Sequence, residues 1–508
     1  MRSSSFFAVG LLACSIGQVG FASETSAWER HTSLGLKAQS QGKQAEAEKH
    51  YRAALAEAEK TDQEDERLAT SLSDLGGLLE SQGRYGEVES LYQRALSVRE
   101  KLLGPEDPYT AVSLNNLAEL YRAQGRFKKA KPLHRRALAV FEKVLGPEHA
   151  GTATSLNNLA ELYRGQGKYT EAESLYQRSV AIFRKELGED HPKVASILNN
   201  MGALARSKGK YRESLDLHRQ ALRIRERSLG PEHPELASSL ANLAYFYHGG
   251  ERRAEAQSLY KRALAIQEKT LGPKHPDVAA TLNNMAGLYR RMERREESKK
   301  IYLRALSILE QSLGPEHPRV GTTLNNLGEL FRTRNSLGND VYDIRSGEAE
   351  PYYKRAIAIR EKALGNQHPD LGLTLLNLAG LYRAQVKYHE ARSILRRAIS
   401  IFEKSLGKEH PHLATGQNNL AGIYLLEGDY RRAEPLFKNA LRIREATFGP
   451  DHRLVAAIVN SLAHVYRGMG NGARAERMQE RYQTIADRQS TLEVPGGRIQ
   501  QRLTISSW

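Results

Sequence analysis

The dipeptide Leu-Gly returns at Leu103, Leu145, Leu187, Leu229, Leu271 and Leu313, each 42 residues after the last. After one longer step the same spacing resumes at Leu364, Leu406 and Phe448, each again followed by glycine. A fixed period of this length marks a stack of one supersecondary unit, in which each copy buries its apolar face on its neighbours. Such a stack also resolves how 508 residues fold together, because it lengthens without enlarging any single core.

Each period holds two amphipathic patterns. Leu114, Leu117, Ala118 and Tyr121 fall at i, i+3, i+4 and i+7, one apolar stripe of a 3.6-residue helix. Gly125 stops that pattern, and Ala130, Leu133, Ala137, Leu138 and Phe141 give a second helix its own face. Small residues recur where the two axes must cross at about 8–10 Å: Ala118, Ala130 and Ala137, then Ala160, Ala172 and Ser179. Gly146 suits the left-handed residue beyond a helix end, and Pro147 cannot prolong that helix.

The unit is therefore a helical hairpin. One degenerate copy carries Gly35, Gly42, Ala47, Tyr51 and Ala54, nine end in the Leu-Gly or Phe-Gly marks, and a last contains Asn460, Ala463, Tyr466 and Ala475, which makes eleven. The expected fold is an all-α solenoid over residues 27–487, each unit touching mainly its neighbours, with polar end units bearing Gln479 and Arg481 as caps.

Glycine or alanine, tyrosine, glycine, alanine, aromatic and alanine at these spacings resemble the tetratricopeptide repeat. The 42-residue period with LGPEHP and SLNNLA resembles its kinesin light chain subfamily. The resemblance implies a right-handed superhelix whose concave groove holds extended segments of partner proteins. The subfamily's coiled-coil heptads do not accompany the repeats, so adaptor function for a motor is not implied.

Met1, Arg2 and the apolar run from Phe6 to Ala13, continuing through Ile16, Val19 and Phe21, read as a secretory signal peptide over residues 1–22. Gly20-Phe21-Ala22 places small residues where cleavage occurs, so the expected mature chain begins at Ser23 and is exported, periplasmic or secreted. Leu11-Leu12-Ala13-Cys14 also resembles a lipobox, which would instead anchor the protein through Cys14. Cys14 is the sole cysteine, so the repeats hold no disulfide, thiolate metal site or cysteine nucleophile. Unit eight carries an insertion near 333–347, expected to project from its inter-helix turn, where Val341, Tyr342 and Ile344 could grip a partner or the segment could be a neutral surface insertion. Residues 488–508 read as a C-terminal tail.

The first helix of each unit has a second, polar stripe: Asn115, Asn116, Glu119 and Arg122 in one copy. Its asparagine recurs as Asn116, Asn158, Asn200, Asn242, Asn284, Asn326, Asn377 and Asn419. A carboxamide both donates and accepts, so a row of them can meet the N–H and C=O of an extended peptide, and the resemblance implies that role. The same amides could instead tie neighbouring helices together, as Asn115 and Asn157 suit. One turn on, Arg122, Arg164, Arg206, Arg290, Arg332 and Arg383, with Arg467, would line the groove with guanidinium groups that pair with carboxylates or phosphates. An acidic peptide or an acidic glycan fits such a floor, unless Glu119, Glu161 and Glu329 neutralise it.

His149, His191, His233, His275, His317, His368, His410 and His452 recur singly in the connecting loops. Metal ligands converge from several side chains, so these read as helix caps or loop packing, and no metal or cofactor is expected. Lys and Arg total 75 against 59 Asp and Glu, a net charge of +16, but the excess is spread through every unit, which argues against nucleic acid. No nucleophile elbow, phosphate loop, HExxH helix or paired-carboxylate motif interrupts the repeats. The expected function is that of an exported, non-catalytic scaffold for a protein or extended peptide. The alternatives are a binder of acidic envelope polysaccharide and a structural subunit of an envelope assembly.

Overall fold

The computed structural model describes residues 26–61, 64–248, 252–331, 333–334, 340–341 and 347–490. The leader 1–22 with Cys14, Arg332, Tyr342, Ile344 and the segment 491–508 lie outside the described residues. Twenty-two helices follow one another among the described residues, packed as eleven consecutive hairpins. Unit 1 is α1 (Ala27–Ser40) with α2 (Gln44–Ala58), and unit 2 is α3 (Glu66–Ser81) with α4 (Tyr85–Leu102). Unit 3 is α5 (Pro108–Ala123) with α6 (Phe127–Val144), and unit 4 is α7 (Ala150–Gly165) with α8 (Tyr169–Leu187). Units 5 to 7 pair α9 (Pro192–Ser207) with α10 (Tyr211–Leu229), α11 (Pro234–His248) with α12 (Arg253–Leu271), and α13 (Pro276–Arg291) with α14 (Arg295–Leu313). Units 8 and 9 pair α15 (Pro318–Leu330) with α16 (Ala349–Leu364) and α17 (Pro369–Ala384) with α18 (Tyr388–Leu406). Units 10 and 11 pair α19 (Pro411–Leu426) with α20 (Tyr430–Phe448) and α21 (Arg453–Gly468) with α22 (Gly472–Ser490).

The count agrees with the sequence, although α22 runs three residues past the expected end at 487. Inside unit 8 a two-residue antiparallel ladder, β1 (Thr333–Arg334) with β2 (Asp340–Val341), occupies the turn between α15 and α16. This is where the insertion was expected to project.

Each first helix from unit 4 onward starts on a histidine. Nδ1 of His149, His191, His275, His317, His368, His410 and His452 accepts the backbone N–H two residues on, at 3.0–3.2 Å, and His233 does the same at 3.2 Å. An imidazole thus satisfies one of the orphan donors of a helix start, and the capping reading of these histidines is correct. In most of these units proline follows at the first helical position, where its missing N–H costs nothing. Within each hairpin the axes cross tightly: a Cβ added at Gly328 would lie 2.7 Å from the ring of Tyr353, which is wholly buried.

First helices of consecutive units pack closely on one another, α11 on α13 and α17 on α19, and no pair of second helices among the described residues approaches as closely. The first helices therefore lie inside the curve. The stack curls until its two turns touch, so units are not confined to their neighbours as expected from a linear array. The turn of unit 1 at Gly42 meets His275 of unit 7, and Gly83 of unit 2 meets His317 of unit 8. Gly125, Gly167 and Gly209 meet His368, His410 and His452 in the same step of six units. Nε2 of His317 donates to the Ser81 carbonyl at 3.1 Å, and that of His368 to the Ala123 carbonyl at 3.0 Å. The turn glycines have φ of 70–77°, and a Cβ at Gly83 or Gly125 would come within 2.7 Å of Pro318 or Pro369. Leu364 of unit 8 packs into the apolar cluster of units 1 to 5 across the same boundary.

Two expectations follow. Gly328→Ala should cost about 1–3 kcal/mol through overpacking against Tyr353, read as a lowered urea midpoint. Burial holds His410 and His248 down to about 3, and His218, His412 and His452 to about 4, from 6.5. The unfolded chain then takes up protons that the folded chain refuses, so stability is full above pH 6.5 and is lost as pH falls toward about 4. Melting temperature measured from pH 7 to 4.5 should fall steadily, and His410→Gln should make that slope shallower.

Candidate binding groove

The ladder asparagines sit on the first helices, on the inner side of the curve, and all eight are half-buried. Their carboxamides are partly engaged by the unit before. Asn200 donates to Asn157 at 3.0 Å, Asn326 to Asn283 at 3.2 Å and Asn377 to Asn325 at 3.1 Å. Asn158 accepts from Asn157 at 3.4 Å. Among the first asparagines, Asn115 and Asn199 are buried in the stack: Asn115 meets Nδ1 of buried His134 at 2.9 Å, and Asn199 meets His218 at 2.9 Å and Ser239 at 3.1 Å. Three ladder amides, of Asn200, Asn326 and Asn377, thus link first helices of consecutive units, and each such bond uses one of the two donors of the carboxamide.

This chain of amides is interrupted in the middle of the coil. Ala241 stands where most other units carry the first asparagine, as Leu376 does in unit 9, and Asn242 and Asn284, like Asn116 and Asn419 nearer the ends, make no side-chain hydrogen bond among the described residues. The pattern is also broken by substitution at the N-terminal end, where Asp74 takes the ladder position and Glu80 the arginine position. Burial raises Asp74 to about 7 against the pull of Arg99.

The arginine row divides in two. Arg122 and Arg164 close onto Glu119 and Glu161 of their own helices at 2.6 and 2.7 Å. Burial would raise the Glu119 pKa, but Arg122 and His134 override it and hold the carboxyl at about 2. His134 Nε2 lies 3.3 Å from Glu119, so Asn115, His134, Glu119 and Arg122 form one polar relay from inside the stack to the groove. Sequence reading missed the histidine half of it, although His134 stands where other units have the tyrosines Tyr176 and Tyr260.

Units 5 to 7 differ: the glutamate position holds Ala203, Tyr245 and Gly287. Arg206 is exposed and lies over the ring of Tyr245 at 4.8 Å, and Arg290 reaches Glu329 of the next unit only at 3.9 Å. Arg383 is half-buried on the same inner face, whereas Arg467 is exposed on the first helix of the last unit. The groove floor is therefore neutralised at units 3 and 4, carries the exposed guanidinium of Arg206 at unit 5, has His248 in the arginine position at unit 6, and pairs Arg290 only loosely with Glu329 at unit 7. Among the described residues no group of three His, Asp or Glu is placed to hold a metal ion, and no helix is long and apolar enough to cross a membrane.

A family model of the tetratricopeptide repeat matches ten segments, which together cover residues 31–337 and 345–488. No curated protein matches the chain. Among solved structures, one from Podosopora anserina, described as a kinesin light chain with nearly identical TPR-like repeats, is 28% identical over 40% of this chain and 97% of its own, with a TM-score of 0.35. BtubC (BKLC) from P. vanneervenii is 27% identical over 49% of this chain and 93% of its own, at 0.36. A Rap protein complexed with competence and sporulation factor is 16% identical over 83% and 98%, at 0.44.

Replacing Glu119 by Gln strands Arg122 and His134 together. The expected loss is about 2–3 kcal/mol, below the roughly 3–5 kcal/mol of a wholly buried pair, because Arg122 keeps 21% of its side chain exposed. Denaturant titration of the variant checks it, and a Glu100→Gln control on the exposed pair with Arg136 should change stability by less than about 1 kcal/mol.

Proposed function

This chain belongs to the tetratricopeptide repeat family, and on that premise we propose that it is a non-catalytic scaffold holding an extended segment of a partner protein along its inner face. The observation that carries the reading is the middle of the coil. Asn242 and Asn284 are half-buried amides with no side-chain partner among the described residues, and Arg206 beside Tyr245 supplies an exposed cation on an aromatic surface. First helices of adjacent units sit roughly 10 Å apart and an extended peptide advances about 3.3 Å per residue, so successive amides meet every third ligand residue. Such contacts read backbone, and the Arg206 and Arg290 region favours a segment with an acidic side chain. The ion pairs at Glu119 and Glu161 weigh against a polyanion running the full length of the floor, which places the acidic-glycan reading second. The leader-like residues 1–22 support a location in the cell envelope, with the scaffold acting on exported partners.

The test uses extended peptides selected from a random library on the full chain, with affinities read by fluorescence anisotropy. Asn242→Ala with Asn284→Ala should leave helicity unchanged and remove two hydrogen bonds, about 1–3 kcal/mol, or roughly 5- to 150-fold in affinity. Arg206→Ala should weaken binding more at low than at high salt, because an exposed charge is screened. Full affinity in the folded double variant would overturn the groove reading.

A further inference from the structure

The seam between the two turns of the coil is a repeated interface, and the chain carries unused halves of it at both ends. Within the chain, the hairpin turn of each of units 1 to 5 meets the histidine cap six units later. The caps of units 4, 5 and 6 are His149, His191 and His233, and no described turn of this chain reaches them. Their Nδ1 atoms cap their own helices, while Nε2, which in units 8 and 9 reaches across the seam, has no partner among the described residues. At the opposite edge, the turns of units 9, 10 and 11 are uncovered: the space around Gly428 and Gly470 is open, and Val386, Leu426 and Met469 are 67%, 50% and 40% exposed. Three of the protein's exposed large apolar residues thus gather on three consecutive turns.

We infer that the chain associates head to tail with a second copy of itself, the turns of units 9 to 11 seating on the caps of units 4 to 6 in the register already used within one chain. Continuing the step of six from units 9, 10 and 11 over an eleven-unit chain leads to units 4, 5 and 6 of the next copy. The side chains match in that register. Inside the chain, glycine faces His-Pro, as Gly125 faces His368 and Pro369, and a Cβ there would lie 2.7 Å from the proline Cδ. Gly428 and Gly470 keep glycine opposite Pro192 and Pro234. Val386 replaces the glycine in unit 9, and the cap it would meet is the one cap from unit 4 onward, apart from the last, that lacks the proline: Ala150 follows His149. Val386 holds φ of 61°, a conformation that disfavours a β-branched residue, so the apolar side chain sits there against backbone preference. A shallow hollow lined by Leu145, Pro147 and His149 lies on the cap edge, and another beside Gly428 and Met469 on the turn edge. The carbonyls of Ala384, Leu426 and Gly468 occupy the positions of Ser81 and Ala123, the acceptors of the internal seam. A heterologous contact that repeats without closing builds a fibre rather than a ring.

Sedimentation equilibrium of the full chain, from micromolar to millimolar, should show a mass that climbs with concentration beyond two chains. Ala150→Pro restores the residue type that begins most other first helices, so the variant should fold and melt normally. It should nevertheless weaken association by at least about tenfold, because a pyrrolidine ring at that position opposes Val386 of the next copy, where no glycine makes room for it. Adding Val386→Gly should return association to within about threefold of the original, as a compensating pair does. A wild-type chain that stays single at every concentration overturns the inference. So does an Ala150→Pro variant that associates as the wild type does, the outcome expected of a symmetric dimer through some other face.

Discussion

Everything distinctive in this molecule hangs on an imidazole shared between two places. A histidine at a first-helix cap spends Nδ1 on the helix it begins, which fixes the proton on Nε2 and aims that N–H away from the helix. In units 8 and 9 the aimed N–H lands on a carbonyl from the other turn of the coil. A helix start and a long-range contact are thus set by one ring, and neither nitrogen can change partner without disturbing both. Because the same contact recurs with a step of six units, the curvature of the stack is set by closure as well as by the packing of neighbours, and the width of the inner groove is set with it.

Much of the fold is legible in the sequence, because its causes are local. The 3.6-residue stripes, the turn glycines and the His-Pro starts each act within a few residues, and eleven hairpins follow from them. The seam is not legible, since nothing in Gly83 or His317 announces that they meet: both are also ordinary punctuation of their own units. What the sequence does contain, once the register is known, is the size matching of Gly125 with Pro369 and the small residues Ser40, Ser81, Ala123, Gly165 and Ser207 two places before the early turn glycines.

The groove was legible as a pattern and not as a set of bonds. Asparagines at a fixed place in every unit mark an inner polar stripe, but whether each amide is committed depends on the residue one unit back and one place earlier. Asn157 occupies Asn200, whereas Ala241 leaves Asn284 without that partner. In the same way Arg122 and Arg206 are identical in a repeat alignment, and the presence of Glu119 against Ala203 decides which of them has a carboxylate in reach. Departures from the repeat, rather than the repeat itself, distinguish the middle of the coil from its ends.

The sequence distance across the seam has a bearing on how the protein comes to be made. Ser81 and His317 are separated by 236 residues, and Ala123 and His368 by 245, in an architecture whose other contacts lie mostly within a unit or between adjacent units and are therefore quick to form. The early units emerge from the ribosome long before the caps that will cover their turns, and they carry small residues on that edge, with little apolar surface to attract a wrong neighbour while it waits. Every unit in between acts as a rigid spacer, so the five long-range contacts register only when each intervening hairpin has docked at its proper angle. One misdocked unit displaces every seam contact that spans it. The coil thereby checks its own assembly, since completion of the last turn reports on the correctness of the six interfaces beneath it.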